Sequence, residues 1–274
     1  MSRILIIGDQ SPLVHDIGMR ISTVPIHFAV GNADAIQRLR ARSFGVVITS
    51  CESQVEEDLA LLAEMRDIRP GVKCIVLAPE STPEEVIAAL RARVFACFTP
   101  PFNPQAIAHL AASAASESQW GDDIQVLSAK PGWVSVRVNC SLITAERLLT
   151  FAKELSAQLS DDSRQDMILA LREILLNAME HGAAFSPDQL VEITGIRTTR
   201  SCVFYVRDPG AGFRQGSLTH AARSNTEYEP LALAEGRDEE GMRAGGYGLL
   251  LAAGTVDELI YSEVGNEVLL IKYV

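Results

Sequence analysis

Residues 171–182 read LREILLNAMEHG and set Glu173 and Asn177 one helical turn apart, on a shared face. Around them Met167, Ile168, Leu171, Ile174, Leu175, Ala178 and Met179 recur on one side at helical spacing, with Asp166, Glu173, Asn177 and Glu180 opposite. The pattern predicts an amphipathic helix, closed at Gly182 by a glycine in the left-handed conformation. Taken alone, the polar stripe is the ordinary solvated face of a helix. Two stretches nearer the C-terminus give that stripe a chemical meaning.

Residues 207–213 read RDPGAGF, an acidic residue at the end of an apolar strand leading into two glycines, and residues 245–251 read GGYGLLL, glycines opening an apolar helix. A carboxylate at the end of a strand, buried in a pocket, can accept a hydrogen bond from the exocyclic amine of adenine, which makes Asp208 the expected adenine reader. Gly210 and Gly212 let the backbone approach base and sugar with no Cβ between. Gly245, Gly246 and Gly248 would present backbone N–H groups at a helix N-terminus, where dipole and free donors favour phosphate. Asn177 offers an uncharged oxygen, suited to Mg²⁺ held mainly by triphosphate oxygens and water. Glu173 can take a proton from an attacking hydroxyl. His181, at the end of the helix, suits the dipole there better than catalysis.

The sequence E-x-x-x-N-A, then D-x-G-x-G, then G-x-G-L, in this order, resembles the ATP-binding fold shared by gyrase, Hsp90, histidine kinases and MutL. Within that superfamily EILLNAMEHG, GMRAGGYGLLLA and VDELIYSEVGNEVLLIKY resemble the anti-sigma factor serine/threonine kinases of bacteria, over residues 122–274. The resemblance implies ATP and Mg²⁺ as cofactors, Glu173 as the base and Asn177 as the metal-holding residue. It also implies a sigma factor or other transcription regulator as partner, and a STAS-type antagonist protein as the phosphorylated substrate. A non-catalytic ATP-binding module that sequesters a transcription regulator is the alternative. A sensor histidine kinase fragment is weaker, because no histidine occurs between His109 and His181. The segment 214–243 has little periodicity and reads as a lid, with Arg243 a candidate for the γ-phosphate.

The first 120 residues alternate short apolar runs with helix-sized stretches: RILIIGD, PIHFAV, GVVITS, VKCIVLA and VFACFTP, each followed by a helix. Five such units predict a doubly wound five-stranded parallel sheet. The arrangement, with TPPF before the last helix, resembles the receiver domain of response regulators. Matching by strand puts Asp9 with Gln10, Thr49, Ala78 and Pro100 where a working receiver needs an acidic pair, an acceptor aspartate, a hydroxyl and a lysine. Without a carboxylate at Thr49 there is no acyl-phosphate acceptor, so 1–120 is read as a pseudo-receiver. Its helices, especially 103–118, are left to form a partner surface or a homodimer seam.

The second half, 121–274, reads as an α+β sandwich. The runs IQVLSA and WVSVRVN form a hairpin about residues 130–132, and Ser141 caps a helix with Leu142, Leu148, Leu149, Ala152 and Leu155 as its apolar face. LVEITGIRTT, CVFYVRD, DELIYSE and EVLLIKY complete a mixed sheet with helices on one face.

Hydrophobic residues make up 47% and charged residues 22% of the 274, which places both halves among globular domains. A net charge of −11 argues against a direct nucleic-acid groove, which needs a basic stripe. No apolar run has membrane-spanning length and the N-terminus lacks an export pattern, so a cytoplasmic chain without membrane contact is expected. The five cysteines are odd in number and scattered, and are expected as buried free thiols.

Overall fold

A computed structural model of the chain describes residues 2–8, 11–117, 123–212 and 248–274. Asp9, Gln10, Arg243, Gly245, Gly246, the segment 214–243 and the boundary expected at 120/121 lie outside the described residues. The chain divides into two compact units, Met1–Val126 with Glu146–Leu155, and Leu127–Ala145 with Ser156–Val274.

The first unit is built as its periodicity predicts. Strands β1 (Ile4–Ile7), β2 (Ile26–Ala29), β3 (Val46–Ile48), β4 (Lys73–Leu77) and β5 (Ala96–Phe98) alternate with helices α1 (Pro12–Arg20), α2 (Asn32–Ala41), α3 (Val55–Ile68), α4 (Pro83–Arg91) and α5 (Pro104–Ser116). The sheet order is β2-β1-β3-β4-β5, with every neighbouring pair parallel. β1, β3 and β4 are buried along their whole length, as strands covered on both faces must be. Local chemistry starts the helices: Thr82 and Glu85 form a reciprocal capping box ahead of Pro83, and the Asn103 side chain accepts from the Ala106 N–H ahead of Pro104. The apolar face of α5, from Ile107 to Ala115, is buried within its own unit.

Residues 146–155 also belong to this unit, although they are part of α6 (Leu142–Leu155). β5 is an edge strand, and three side chains of α6 meet it. Arg147 Nε donates to the Phe95 carbonyl at 3.0 Å, Thr150 Oγ1 accepts from the Cys97 N–H at 3.4 Å, and Thr99 Oγ1 donates to Glu154 Oε2 at 2.8 Å. Positions 147, 150 and 154 share a helix face, and 95, 97 and 99 recur at the period of a strand. The guanidinium of Arg147 lies 4.3 Å from the Phe95 ring centroid and also donates to Asp123. An edge that would otherwise offer unpaired backbone groups is thereby covered. Leu148, Leu149 and Ala152 are buried as expected, whereas Leu142 is 57% exposed and is not part of an apolar face. Ser141 does cap α6, accepting from the Thr144 N–H at 3.1 Å.

The second unit holds β6 (Ile124–Lys130), whose first residues fall in the other unit, with β7 (Trp133–Asn139), β8 (Leu190–Arg197), β9 (Ser201–Arg207), β10 (Glu258–Tyr261) and β11 (Glu267–Tyr273). The sheet order is β10-β11-β9-β8-β7-β6. The pairings β7–β8, β8–β9, β9–β11 and β10–β11 are all antiparallel, so the expected mixed sheet is corrected to an antiparallel one. Short reversals after β8 and after β10 impose that direction. Helix α7 (Asp161–Asn177) packs on α8 (Gly248–Thr255) and on β9 and β11. Ser160 caps α7 by accepting from the Ser163 N–H.

Candidate functional site

The α7 helix delivers Glu173 and Asn177 as its spacing requires, with Met167, Leu171, Ile174 and Leu175 turned into the core. Its end differs from the expectation. After Asn177 the chain widens into a π-helical turn, Ala178–Gly182, and the left-handed residues are Ala184 (φ 50°) and Phe185 (φ 48°), not Gly182. The Phe185 N–H closes the turn on the Met179 carbonyl at 2.8 Å. Single π-turns and left-handed non-glycine residues are costly local features that persist where surrounding structure demands them.

What stands against Gly182 is Asp208. A Cβ on Gly182 would lie 2.3 Å from the Asp208 carboxylate carbon, and one on Gly210 would lie 2.8 Å from Asp208 Oδ1 and from the Gly182 Cα. Asp208 Oδ1 accepts from the Gly210 N–H at 2.8 Å, which closes a turn of the kind aspartate favours. Burial pushes the Asp208 carboxyl up, and the Gly210 N–H opposes that shift. Asn266, which in the sequence reads only as a turn residue, braces this loop. Its carbonyl accepts from the Asp208 N–H at 3.0 Å, and its Nδ2 lies 3.4 Å from the carbonyls of Asp208 and Gly210. Gly212 has φ +73°, and a Cβ there would meet the Val264 carbonyl oxygen at 2.1 Å. That backbone contact and the positive φ both require glycine at this position.

The other carboxylate, Glu173, is largely buried, with its side chain 13% exposed. Arg172 Nη1 lies 3.1 Å from Glu173 Oε1, while Oε2 faces the first residue of α8: a Cβ on Gly248 would lie 2.5 Å from it. Glu173 and Gly248 are thus adjacent, and Gly182, Asp208 and Gly210 form a second cluster. Asn177 is half-buried on α7, one turn beyond Glu173, and His181 is exposed. Gly245 and Gly246 lie outside the described residues. At 182, 210 and 248 the space where a Cβ would stand is taken, by the Asp208 carboxylate at the first two and by Glu173 Oε2 at the third, so glycine at these positions lets the two carboxylates lie against backbone. Among the described residues no group of three His, Cys, Asp or Glu is arranged to hold a metal ion. A divalent ion at Asn177 would therefore depend on phosphate oxygens and water.

In the first unit the end of β3, where the receiver resemblance would need an acceptor aspartate, is closed. Thr49, wholly buried at the end of β3, donates from Oγ1 to Asp58 Oδ2 at 2.6 Å and accepts there from the Leu77 N–H at 3.0 Å. Ser53 Oγ lies 2.7 Å from Asp58 Oδ1. Burial pushes the Asp58 carboxyl up to about 6, against the two hydroxyl hydrogen bonds. All five cysteines are free; four are buried and Cys51 is half-buried. Burial pushes the Cys74, Cys97, Cys140 and Cys202 thiols up. No described helix is long and apolar enough to cross a membrane.

The profile of the histidine kinase-like ATPase domain matches residues 140–272. No curated protein is significantly similar to the chain. Among solved structures, the chain is similar to a response regulator receiver domain protein (CheY-like) from Methanospirillum hungatei JF-1, at 20% identity over 38% of this chain and 86% of that one, with a TM-score of 0.34. It is also similar to a response regulator receiver domain protein from Clostridium thermocellum, at 21% identity over 42% of this chain and 94% of that one, TM-score 0.37. A response regulator from Thermotoga maritima is 18% identical over 43% of this chain and all of that one, TM-score 0.37.

Proposed function

We propose that this chain, whose residues 140–272 match the histidine kinase-like ATPase domain, is an ATP-dependent serine/threonine protein kinase of the anti-sigma factor type. An ATP-binding module joined to a receiver-like unit is the organisation of a signalling protein. The observation that carries the finer reading is the position of Glu173, whose Oε2 faces Gly248 at the opening of α8. A helix N-terminus is where phosphate is favoured, and a largely buried carboxylate beside it supports the reading of Glu173 as the base next to the γ-phosphate.

In this reading ATP with Mg²⁺ supplies the phosphoryl group when bound. Asp208 accepts from the exocyclic amine of the base, with Gly182 and Gly210 admitting its carboxylate. Gly248 admits the Glu173 carboxylate at the start of α8, and Asn177 contributes one neutral oxygen to the metal. Arg172 lies 3.1 Å from Glu173 Oε1, and the Glu173 carboxylate takes the proton of the attacking serine or threonine hydroxyl. The partners proposed are a sigma factor or other transcription regulator, which is held, and a STAS-type antagonist, which is phosphorylated. The five free thiols agree with action in the reducing cytoplasm.

The test is phosphate transfer from labelled ATP to a STAS-type protein by the natural chain and by Glu173→Ala. The variant should bind ATP nearly as well and transfer about 10²- to 10⁴-fold more slowly, the usual worth of a positioned base. A chain that binds ATP and holds a transcription regulator yet labels no STAS-type protein would be the sequestering module instead. A Glu173→Ala protein that labels at the natural rate would remove Glu173 from the mechanism.

A further inference from the structure

Gly182 ends the π-turn of α7, and its conformation is not left-handed, so helix termination does not explain a glycine there. The space at its Cα is taken by Asp208: a Cβ would come within 2.3 Å of Cγ and Oδ1 and 2.5 Å of the Asp208 Cβ, separations that real side chains do not tolerate. On its other sides the same carboxylate is held by the Gly210 N–H, and its loop is braced by Asn266. The extra residue of the π-turn and the two left-handed residues after it bring the bare Cα of residue 182 against the carboxylate.

We infer that Gly182 is a specificity-determining position of the nucleotide site, a positioning residue that sets Asp208 where it reads the exocyclic amine of a purine base. The inference rests on the ATP-binding reading and adds to it the residue that fixes base selection. Bulk at 182 displaces the carboxylate and removes its contact with the base, which distinguishes an amine from a carbonyl. Contacts to sugar and phosphates are made elsewhere and remain.

The experiment uses the full chain and calorimetric titration with Mg-ATP and with Mg-inosine triphosphate, which carries a carbonyl oxygen in place of the amine. The natural chain should favour ATP. Gly182→Ala should lose roughly ten- to hundredfold in ATP affinity, the worth of a hydrogen bond to a charged group, while inosine triphosphate binding holds and the ratio collapses. Because Gly182→Ala alone is able to disturb folding, Asp208→Gly is measured with and without it. With the obstructing side chain gone, the added methyl should leave melting temperature and both affinities as they are in Asp208→Gly. A Gly182→Ala protein that keeps the natural ratio, or loses both nucleotides equally, overturns the inference, as does a double variant markedly less stable than Asp208→Gly. A natural chain that binds both nucleotides equally, or neither, would instead overturn the assignment of Asp208 as base reader.

Discussion

The buried Asp58 sets a pH dependence that can be worked out from its surroundings. Its carboxyl is pushed up to about 6 from an ordinary 3.8, chiefly by burial. The hydrogen-bond pattern accommodates the neutral acid. Ser53 Oγ lies 2.7 Å from both Asp58 Oδ1 and the Ser50 carbonyl, and its single proton cannot serve both. With Asp58 protonated, the acid donates to Ser53 Oγ and Ser53 donates to Ser50, leaving each group satisfied. An acid whose folded pKa lies above its unfolded value binds more protons when folded, so stability falls as pH rises through the window from 3.8 to about 6. A difference of about two units corresponds to about 3 kcal/mol, or about a hundredfold in the opening equilibrium. Asp58→Asn removes the titration and keeps an oxygen for one hydroxyl. Hydrogen exchange of the Val47 and Ile75 amides, compared between the two proteins at equal pH, cancels the intrinsic pH dependence of exchange. The ratio of natural to variant exchange rates should rise about a hundredfold between pH 4 and pH 7 and level off above the folded pKa. A flat ratio across that range would refute the account of Asp58 as a buried, neutral-favouring acid.

Three other outcomes are expected. Asp208→Asn should weaken Mg-ATP binding by roughly ten- to hundredfold in calorimetry, since the amide can turn its own donor toward the base amine; an unchanged affinity removes Asp208 from the site. Asn177→Ala should make ATP binding insensitive to Mg²⁺ concentration, and an unaltered metal response would end its proposed role as ligand. A fragment beginning at residue 121 lacks Phe95, Cys97 and Thr99, so residues 146–155 should exchange their amides far faster in the fragment than in the full chain; equal protection would show that the β5 edge does not hold this helix.

The elements themselves are legible because each rests on a pattern local to its own residues. β1 and β3 are continuous apolar runs, and β4 is one after Lys73, as a doubly covered parallel strand must be, and α7 alternates faces at 3.6 residues. That no carboxylate ends β3 is legible in Thr49 for the same reason: it is a single residue type at a strand end. That Asp58, nine residues later, takes the hydroxyl of Thr49 is not legible, since an aspartate that follows Glu56 and Glu57 in the first turn of a helix reads as a dipole partner.

Glycine shows where sequence reading stops. A glycine just past an apolar helix ordinarily reads as a left-handed closure, and Gly182 reads so. The chain reverses instead through Ala184 and Phe185, residues that no propensity would nominate for φ near 50°. Gly182 is small because a carboxylate 26 positions later is carried back to it by β9, a relation set by the sheet and not by neighbouring residues. The same limit hides Arg147 and Glu154. On a helix with a leucine face, charged residues read as solvated, yet both are buried because an edge strand supplies a second cover. Periodicity reports which side of a helix is apolar and says nothing of what meets the other side. Burial of a charged residue then has to be answered by specific partners, and here the answers, Phe95, Asp123 and Thr99, come from the receiver-like unit.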